Sequence, residues 1–302
     1  MKDMNADKIV RGLLFWGTVN MTAISAKDVV ETARRAHGLS HVCTAALGRV
    51  LMQTAMMSVQ LKNETDNLTV IFDGDGKAGR FVAVGKEGGR VKGYADFPEV
   101  ELPLKENGKL DVSGAVGTNG ELRVIRDLSL KEPYVGRCAI TDGEIANDFA
   151  NYFVTSEQQP SLVYLGVRVD PKTGEVRAAS GLMLHPLPFC PDSDIDAIEK
   201  RTARITELTR MIEEGRSLEE ALSEILEGFD PEFNEEVKPS FVCDCSREKI
   251  ESALISLGAE ELSDMMEKDG RAELTCRFCN KKYLFSGEEL KTLLEEARSR
   301  SV

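Results

Sequence analysis

Residues 40–61, with the sequence SHVCTAALGRVLMQTAMMSVQL, decide the fold class of this 302-residue chain. The stretch predicts one long helix that begins at Ser40 and ends near Leu61. Its apolar side chains lie on nearly every side: Val42, Cys43, Ala45, Ala46, Leu47, Val50, Leu51, Met56, Met57 and Val59. A helix that is apolar all round is buried inside a domain rather than exposed on one face.

The sequence on both sides of this helix alternates strand-like and helix-like stretches. Ser25-Ala26-Lys27-Asp28 matches a capping box and predicts a helix that ends near Gly38. Strands are predicted over 68–72, 80–84, 90–95 and 121–126, a short helix over 144–153, and a hairpin from 162–169 and 175–184. Together these elements predict a mixed α/β or α+β domain over residues 1–188.

A second segment, residues 189–239, follows the boundary marked by Pro186, Pro188 and Pro191. It carries 15 acidic and 6 basic side chains, a net charge of −9. Two amphipathic helical stretches are predicted. The first carries Ile195, Ile198, Ile205, Leu208 and Ile212, and the second opens with a capping box of Ser217 and Glu220. Short charged helices are marginal in water, so this acidic linker depends for its order on packing against the first domain.

The last segment, residues 240–302, holds four of the seven cysteines of the chain. Cys243-Asp244-Cys245 is separated by thirty residues from Cys276-Arg277-Phe278-Cys279. Two close pairs at this separation are typical of a tetrahedral four-thiolate site, which predicts one Zn²⁺ per chain bound by Cys243, Cys245, Cys276 and Cys279. Iron is the chemical alternative, and chance clustering of structural thiols is the alternative to any metal.

The predicted zinc site bears on the stability of the last segment, because a unit of this size has a thin core. The candidate core residues are Ile250, Leu254, Leu257, Leu262, Leu274, Tyr283, Phe285 and Leu290. Structural zinc contributes roughly 10–16 kcal/mol in small domains, so its loss should unfold the unit. An oxidant could close two local disulfides, release zinc and unfold the unit. A permanently structural zinc site is the alternative.

Other features of the chain exclude several functions. The net charge of −13 argues against nucleic acid, since phosphate binding needs clustered Lys and Arg. No apolar run is long enough to cross a bilayer, and residues 1–8 do not lead into a signal-peptide core, which predicts a cytoplasmic protein. His37, His41 and His185 form no catalytic triad and suit surface or capping roles. The Gly74–Gly79 stretch matches a dinucleotide fingerprint but leads into a strand, which indicates a hairpin turn.

The remaining cysteines and aromatic residues have simpler predicted roles. Cys43 and Cys138 lie in apolar surroundings and are expected to be inert core thiols. Cys190 lies among prolines, with more exposure and no partner in the sequence. Phe15 and Trp16 are expected in the core.

Motifs along the whole chain resemble those of one family, the bacterial redox-regulated heat-shock chaperones of about 33 kDa, the mass of this chain. The four cysteines resemble the zinc switch of that family in order and spacing. The first domain carries similar motifs at Gly74-Asp75-Gly76, Gly93-Tyr94-Ala95-Asp96, Gly120-Glu121-Leu122-Arg123-Val124, Lys131-Glu132-Pro133-Tyr134, Gly143-Glu144-Ile145-Ala146-Asn147-Asp148-Phe149, Tyr152-Phe153 and Ser156-Glu157-Gln158.

The resemblance implies an ATP-independent holdase rather than an enzyme, inactive while reduced and zinc-bound. It implies that oxidation forms the disulfides Cys243–Cys245 and Cys276–Cys279, after which zinc leaves, the zinc domain and linker unfold, and the chain dimerises and binds unfolding client proteins. Cys190 is not part of that switch.

Two other functions compete with this one. One is a thiol–disulfide oxidoreductase that uses Cys276 and Cys279. The other is a zinc-ribbon protein that binds nucleic acid, which the net charge of about −5 for a zinc-loaded last segment disfavours.

Overall fold

The computed structural model describes residues 6–300, and the chain divides into two compact units with the boundary between Val242 and Cys243. The ends of the predicted segments 1–188 and 240–302 lie outside the described residues. The mixed α/β fold class is confirmed. The division of the chain into a domain of residues 1–188, a linker of 189–239 and a zinc domain of 240–302 stays a prediction.

The first unit contains eleven strands and seven α-helices within the described residues. The strands are β1 (Lys8–Leu14), β2 (Val19–Ser25), β3 (Asn67–Gly74), β4 (Phe81–Lys86), β5 (Arg90–Ala95), β6 (Gly120–Asp127), β7 (Tyr134–Ala139), β8 (Leu162–Val169), β9 (Val176–Pro186), β10 (Glu232–Val237) and β11 (Ser240–Phe241). The helices are α1 (Lys27–His37), α2 (His41–Ser58), α3 (Val112–Val116), α4 (Ala146–Thr155), α5 (Asp192–Ile205), α6 (Leu208–Glu213) and α7 (Leu218–Ile225).

These strands form two sheets. Sheet A has the order β10-β1-β2-β9-β8, and every pair in it is antiparallel. Sheet B has the order β11-β5-β4-β3-β6-β7 and is antiparallel except for the parallel pair of β11 and β5. The 162–169 and 175–184 hairpin is confirmed as β8 and β9. The Gly74–Gly79 turn is also confirmed, because it joins β3 directly to β4.

Helix α2 packs against strands of both sheets, which explains its apolar sequence. It begins after Ser40, whose side chain accepts a hydrogen bond from the Cys43 amide. Nearly every residue of the helix is buried, including the polar Gln53. The prediction of a buried helix over 40–61 is therefore confirmed, with its end at Ser58. The main core of the first unit surrounds this helix.

The predicted capping box at the start of α1 is wrong. The Ser25 side chain instead accepts a hydrogen bond from the Lys8 amide, and Asp7 supplies the cap. Its carboxylate accepts hydrogen bonds from the Asp28 and Val29 amides at 3.1 and 2.8 Å. Because strand pairing holds Ser25 at the end of β2, a residue distant in sequence satisfies the first turn of the helix.

The prediction that Trp16 belongs to the core is also wrong, since its side chain is 83% exposed. Phe15 and Trp16 form the tight turn between β1 and β2, and both have positive φ angles. Phe15 takes the inward position, with its ring 4.5 Å from the ring of Phe229. The reversal of the chain then directs the next side chain into solvent.

The linker helices α5, α6 and α7 pack within the first unit on the face of sheet A opposite to α2. A second hydrophobic cluster joins them to β1, β2 and β9; it contains Val10, Leu14, Val19, Met21, Leu182, Leu184, Ile198, Ile205, Leu208, Leu222, Ile225 and Phe229. The predicted apolar stripes therefore cover one face of a sheet. The linker continues as β10, which pairs with β1 at the edge of sheet A.

The second unit contains α8 (Arg247–Leu257), α9 (Ala259–Asp269), β12 (Arg271–Thr275), β13 (Lys282–Ser286) and α10 (Gly287–Arg300). Its core includes the predicted residues Leu254, Leu262, Tyr283, Phe285 and Leu290, with Ile250 and Leu274 partly buried against it. The prediction for Leu257 is wrong, because this side chain is 51% exposed. Helix α8 ends at Leu257, and the chain turns away at Gly258, where φ is +107°.

Candidate metal centre

Two short segments of the second unit position the four clustered cysteines. Cys243 and Cys245 lie directly before α8, and the Lys249 ammonium donates to the Asp244 carbonyl and carboxylate between them. Cys276 and Cys279 occupy the turn that joins β12 to β13. The Cys276 carbonyl accepts hydrogen bonds from the amides of Cys279 and Asn280, so the turn folds back tightly.

The four sulfur atoms converge on one point. All of them lie within 4.8 Å of one another. Cys243 Sγ is 3.7 Å from Cys276 Sγ, and Cys245 Sγ is 3.4 Å from Cys279 Sγ. Zinc–sulfur bonds of about 2.3 Å in a tetrahedron place the sulfurs roughly 3.8 Å apart, so this spacing fits a tetrahedral metal ion.

The electrostatics of the cluster single out one sulfur. Burial raises the pKa of Cys243 well above its ordinary value, and burial also raises the pKa of Cys279. Burial acts in the same direction on Cys245, but hydrogen bonds from Tyr283 and neighbouring thiols outweigh it and lower its pKa to about 7. The Tyr283 hydroxyl donates to Cys245 Sγ at 3.2 Å.

The donor set itself indicates which metal fits. Among the described residues the cluster consists of four cysteines without a histidine or carboxylate ligand. Four soft sulfur ligands at tetrahedral spacing suit Zn²⁺ best, with iron as the alternative. The cluster packs against the core of the second unit, with Cys276 buried and the other three cysteines partly buried.

The other cysteines lie apart from this cluster. Cys43 is buried in α2, and burial raises its pKa. Cys138 is half-buried, and burial raises its pKa to about 11. Both positions agree with the predicted unreactive thiols. Cys190 is also half-buried, and it packs against the second hydrophobic cluster, which joins sheet A to the linker helices.

The histidines are also scattered. Surface or capping roles were predicted for them, and a surface role is wrong for two of the three. His37 and His185 are both buried, whereas His41 begins α2 with Nδ1 3.0 Å from the Glu101 carboxylate. Tyr283 was predicted only as a core residue, and its hydrogen bond to Cys245 was not predicted. Its position four residues after Cys279 was the available signal for its contact with the cluster.

The geometry disfavours a thioredoxin-like function for Cys276 and Cys279. A thioredoxin-type motif follows a strand and opens a helix in a βαβ unit. Here the pair lies in the turn of a two-stranded antiparallel hairpin, and β13 follows it.

No helix among the described residues is long and apolar enough to cross a membrane.

The fold and the site define a class: a mixed α/β protein with a small C-terminal unit organised around four cysteines that could hold a metal ion. The Hsp33 protein family model matches residues 7–286. The chain belongs to this family of chaperones.

Curated relatives and a solved structure agree with the family. A 33 kDa chaperonin of Clostridioides difficile is 41% identical over 290 residues, covering 96% of this chain and 99% of that protein. The 33 kDa chaperonin of Bacillus subtilis is 41% identical with the same coverage. The crystal structure of the Thermotoga maritima 33 kDa chaperonin is 36% identical, covers 97% of this chain and 99% of that chain, and superposes with a TM-score of 0.88.

Proposed function

We propose that this chain is a cytoplasmic, ATP-independent holdase that binds unfolding proteins when oxidised and is held inactive by zinc on Cys243, Cys245, Cys276 and Cys279. The observation that carries the proposal is the convergence of four sulfurs within 4.8 Å in the smaller unit. Zinc would hold these sulfurs as thiolates and so fix residues 243–245 to the β12–β13 turn.

The free energy of zinc binding would be large enough that the second unit needs the bound metal to stay folded. Structural zinc contributes roughly 10–16 kcal/mol of apparent binding free energy in small domains. Whole domains have net stabilities of only about 5–15 kcal/mol. A unit that loses a contribution of this size is expected to unfold.

Oxidation would remove the ligands. The two thiolates of each pair together give up two electrons to one hydrogen peroxide molecule and form one S–S bond. The peroxide O–O bond breaks, and with two protons from solvent the peroxide becomes two water molecules. We assign the pairs Cys243–Cys245 and Cys276–Cys279, because each is closed within one short segment. Local disulfides leave the two segments free to separate, whereas disulfides between the pairs would hold them together.

Loss of the second unit is transmitted through the linker in this proposal. Cys243 directly follows Val242, whose amide donates to the Val91 carbonyl of sheet B. The linker carries a net charge of −9, so its helices depend for their order on the apolar cluster beneath them. Once released, these helices would uncover the buried apolar residues of sheet A for client proteins and for a second copy of the chain. The oxidised form is therefore proposed to be a homodimer.

The test is to heat the zinc-loaded protein with peroxide and to measure three quantities together. Zinc should appear in solution, four thiols per chain should be lost, and aggregation of a thermally unfolding client should fall. Peptide mapping should recover the two local disulfides. If zinc leaves and client aggregation is unchanged, the holdase proposal is wrong. Catalytic turnover of a disulfide substrate would support the oxidoreductase instead.

A further inference from the structure

Strand β10 covers the edge of sheet A and has no fully buried side chain, although Phe233 is only 37% exposed and Val237 packs against the main core. Five of its six residues are exposed, and only Val237 is half-buried. It pairs with β1 from Ile9 opposite Val237 to Leu13 opposite Glu232. The attachment of β10 to β1 therefore depends mainly on main-chain hydrogen bonds.

We propose that the β1 edge of sheet A is a strand-addition site, occupied by β10 in the resting chain and by an extended segment of an unfolding polypeptide after β10 detaches. This inference rests on the proposed function and names the mode in which the client binds. Recognition by strand addition uses main-chain hydrogen bonds for affinity, so it tolerates many sequences. A holdase that meets diverse clients requires that tolerance.

The β1 side of the edge is built to remain in place when β10 leaves. Strand β1 pairs with β2 along its whole length, and Ile9 and Val10 are buried in the two hydrophobic clusters on opposite faces of the sheet. Gly12 brings the partner backbone unusually close, since a Cβ there would lie 1.8 Å from the Glu232 carbonyl oxygen. The outer edge of β1 thus presents main-chain hydrogen-bond donors and acceptors in fixed positions. An extended strand can pair with them.

The charges at this edge indicate which client segments it prefers. Lys8 Nζ lies 2.6 Å from the Glu219 carboxylate, and Arg11 lies 2.6 Å from that of Glu235. Both acidic partners belong to the linker, so its release leaves two cations along β1. The preferred occupant is therefore an extended segment with apolar and acidic residues, and a basic segment is disfavoured.

The experiment places a photo-cross-linking amino acid at position 11 of the full chain. In the oxidised, heated protein we expect cross-links from position 11 to an unfolding client. In the reduced, zinc-loaded protein we expect them to the linker. The control position is Arg137, which is 65% exposed on β7, the edge strand of sheet B that the linker does not cover.

Each outcome separates this inference from the proposed function. Client cross-links that are equally frequent from positions 11 and 137 would overturn strand addition at β1. So would a product that contains two copies of the chain, because β10 of a second copy would then fill the edge. With either of these two results, the proposed holdase function still stands if oxidation suppresses client aggregation. The holdase function fails if oxidation does not suppress client aggregation.

A matched pair of charge reversals on β10 tests the edge while Arg11 and the cysteines stay unchanged. E235K removes the ion pair with Arg11, whereas E236K makes the same charge change on β10 at a side chain that forms no ion pair with any described residue. With the photo-cross-linking amino acid at position 13 of β1, which leaves Arg11 in place, the reduced E235K protein should capture about two- to five-fold more client than E236K, the range expected for an exposed ion pair. Equal capture would count against control of this edge by β10.

Discussion

At the scale of single residues, the buried His185 makes the first unit sensitive to acid. Burial lowers its pKa to about 4, its Nδ1 is hydrogen-bonded to Ser161, and its ring lies edge-on to Phe153 at 4.9 Å between centroids. The folded state therefore holds the neutral imidazole, and the unfolded chain binds the proton more tightly. The stability that this group contributes is present above pH 6.5 and is lost as the pH falls towards 4.

The magnitude follows from the size of that pKa shift, which corresponds to at most about 3 kcal/mol. We expect the free energy of unfolding of the first unit, measured with denaturant, to fall between pH 6.5 and 4. H185Q cannot take up the proton, so its free energy of unfolding should change less steeply with pH. The difference in slope should correspond to the uptake of up to one proton on unfolding. An identical pH dependence in H185Q would assign the acid sensitivity to other groups.

The Tyr283 hydroxyl makes the other residue-scale prediction. It donates to Cys245 Sγ, and a hydrogen bond lowers the nucleophilicity of a thiolate. Y283F keeps the ring and removes the donor, so zinc release under peroxide should accelerate about five-fold, the effect of roughly 1 kcal/mol. A zinc-binding dye follows the rate. A slower or unchanged release would show that the hydroxyl does not protect this sulfur.

The sequence predicted the four cysteines of the site because their spacing is local within each pair. It did not predict Asp7, Tyr283 or His185 in their observed roles, since each depends on a partner that only the folded chain brings close. Asp7 caps a helix that begins twenty residues later, and Tyr283 reaches Cys245 from across the second unit. For Asp7 and His185 the sequence alone gives no sign of these contacts, and for Tyr283 it gives only its nearness in sequence to Cys279.

At the scale of elements, α7 shows a predicted capping box that the structure confirms. The Ser217 hydroxyl accepts from the Glu220 amide, and the Glu220 carboxylate accepts from the Ser217 amide. S217A should destabilise the helix by about 1 kcal/mol. We expect roughly five-fold faster hydrogen exchange in α7 of the reduced protein, and client protection at a lower temperature after oxidation.

The matched control for this variant is S223A, which removes an exposed hydroxyl from the same helix without touching the cap. Its exchange rates should stay close to those of the unchanged protein. If S217A accelerates exchange in α7 but leaves the activation temperature unaltered, the linker helix is not the element that limits activation.

Strands were harder to predict than helices in this chain, and β10 shows the reason. Its sequence EFNEEV has three Glu and one Asn, residues with low strand propensity. The segment becomes a strand because β1 offers a free edge with unpaired main-chain groups. Helix α2 was predictable because its own sequence is apolar on nearly every side. Strand β10 was not, because its extended conformation depends on pairing with β1.

At the scale of the whole molecule, the two units should respond differently to removal of metal. A strong chelator added to the reduced protein should unfold residues 243–302 and leave the α2 core of the first unit folded. Hydrogen exchange checks this, since amides of β12 and β13 should lose protection while those of α2 keep it. Retained protection in β12 and β13 after zinc is gone would show that the core of the second unit suffices for its fold.

The register of β10 against β1 has a consequence for how the molecule converts a stimulus into a signal. Asn234 is an extra residue between the pairs Arg11–Glu235 and Gly12–Phe233, so the strand cannot slide by one position without losing its fit. When β10 detaches as proposed, we therefore expect each chain to be either closed or open at this edge rather than shifted in register. A pair of fluorescent dyes, one on β1 and one on β10, should report two distances, one for the closed and one for the open state. The fraction of open molecules should rise gradually with oxidant dose, although each single molecule takes only one of the two states.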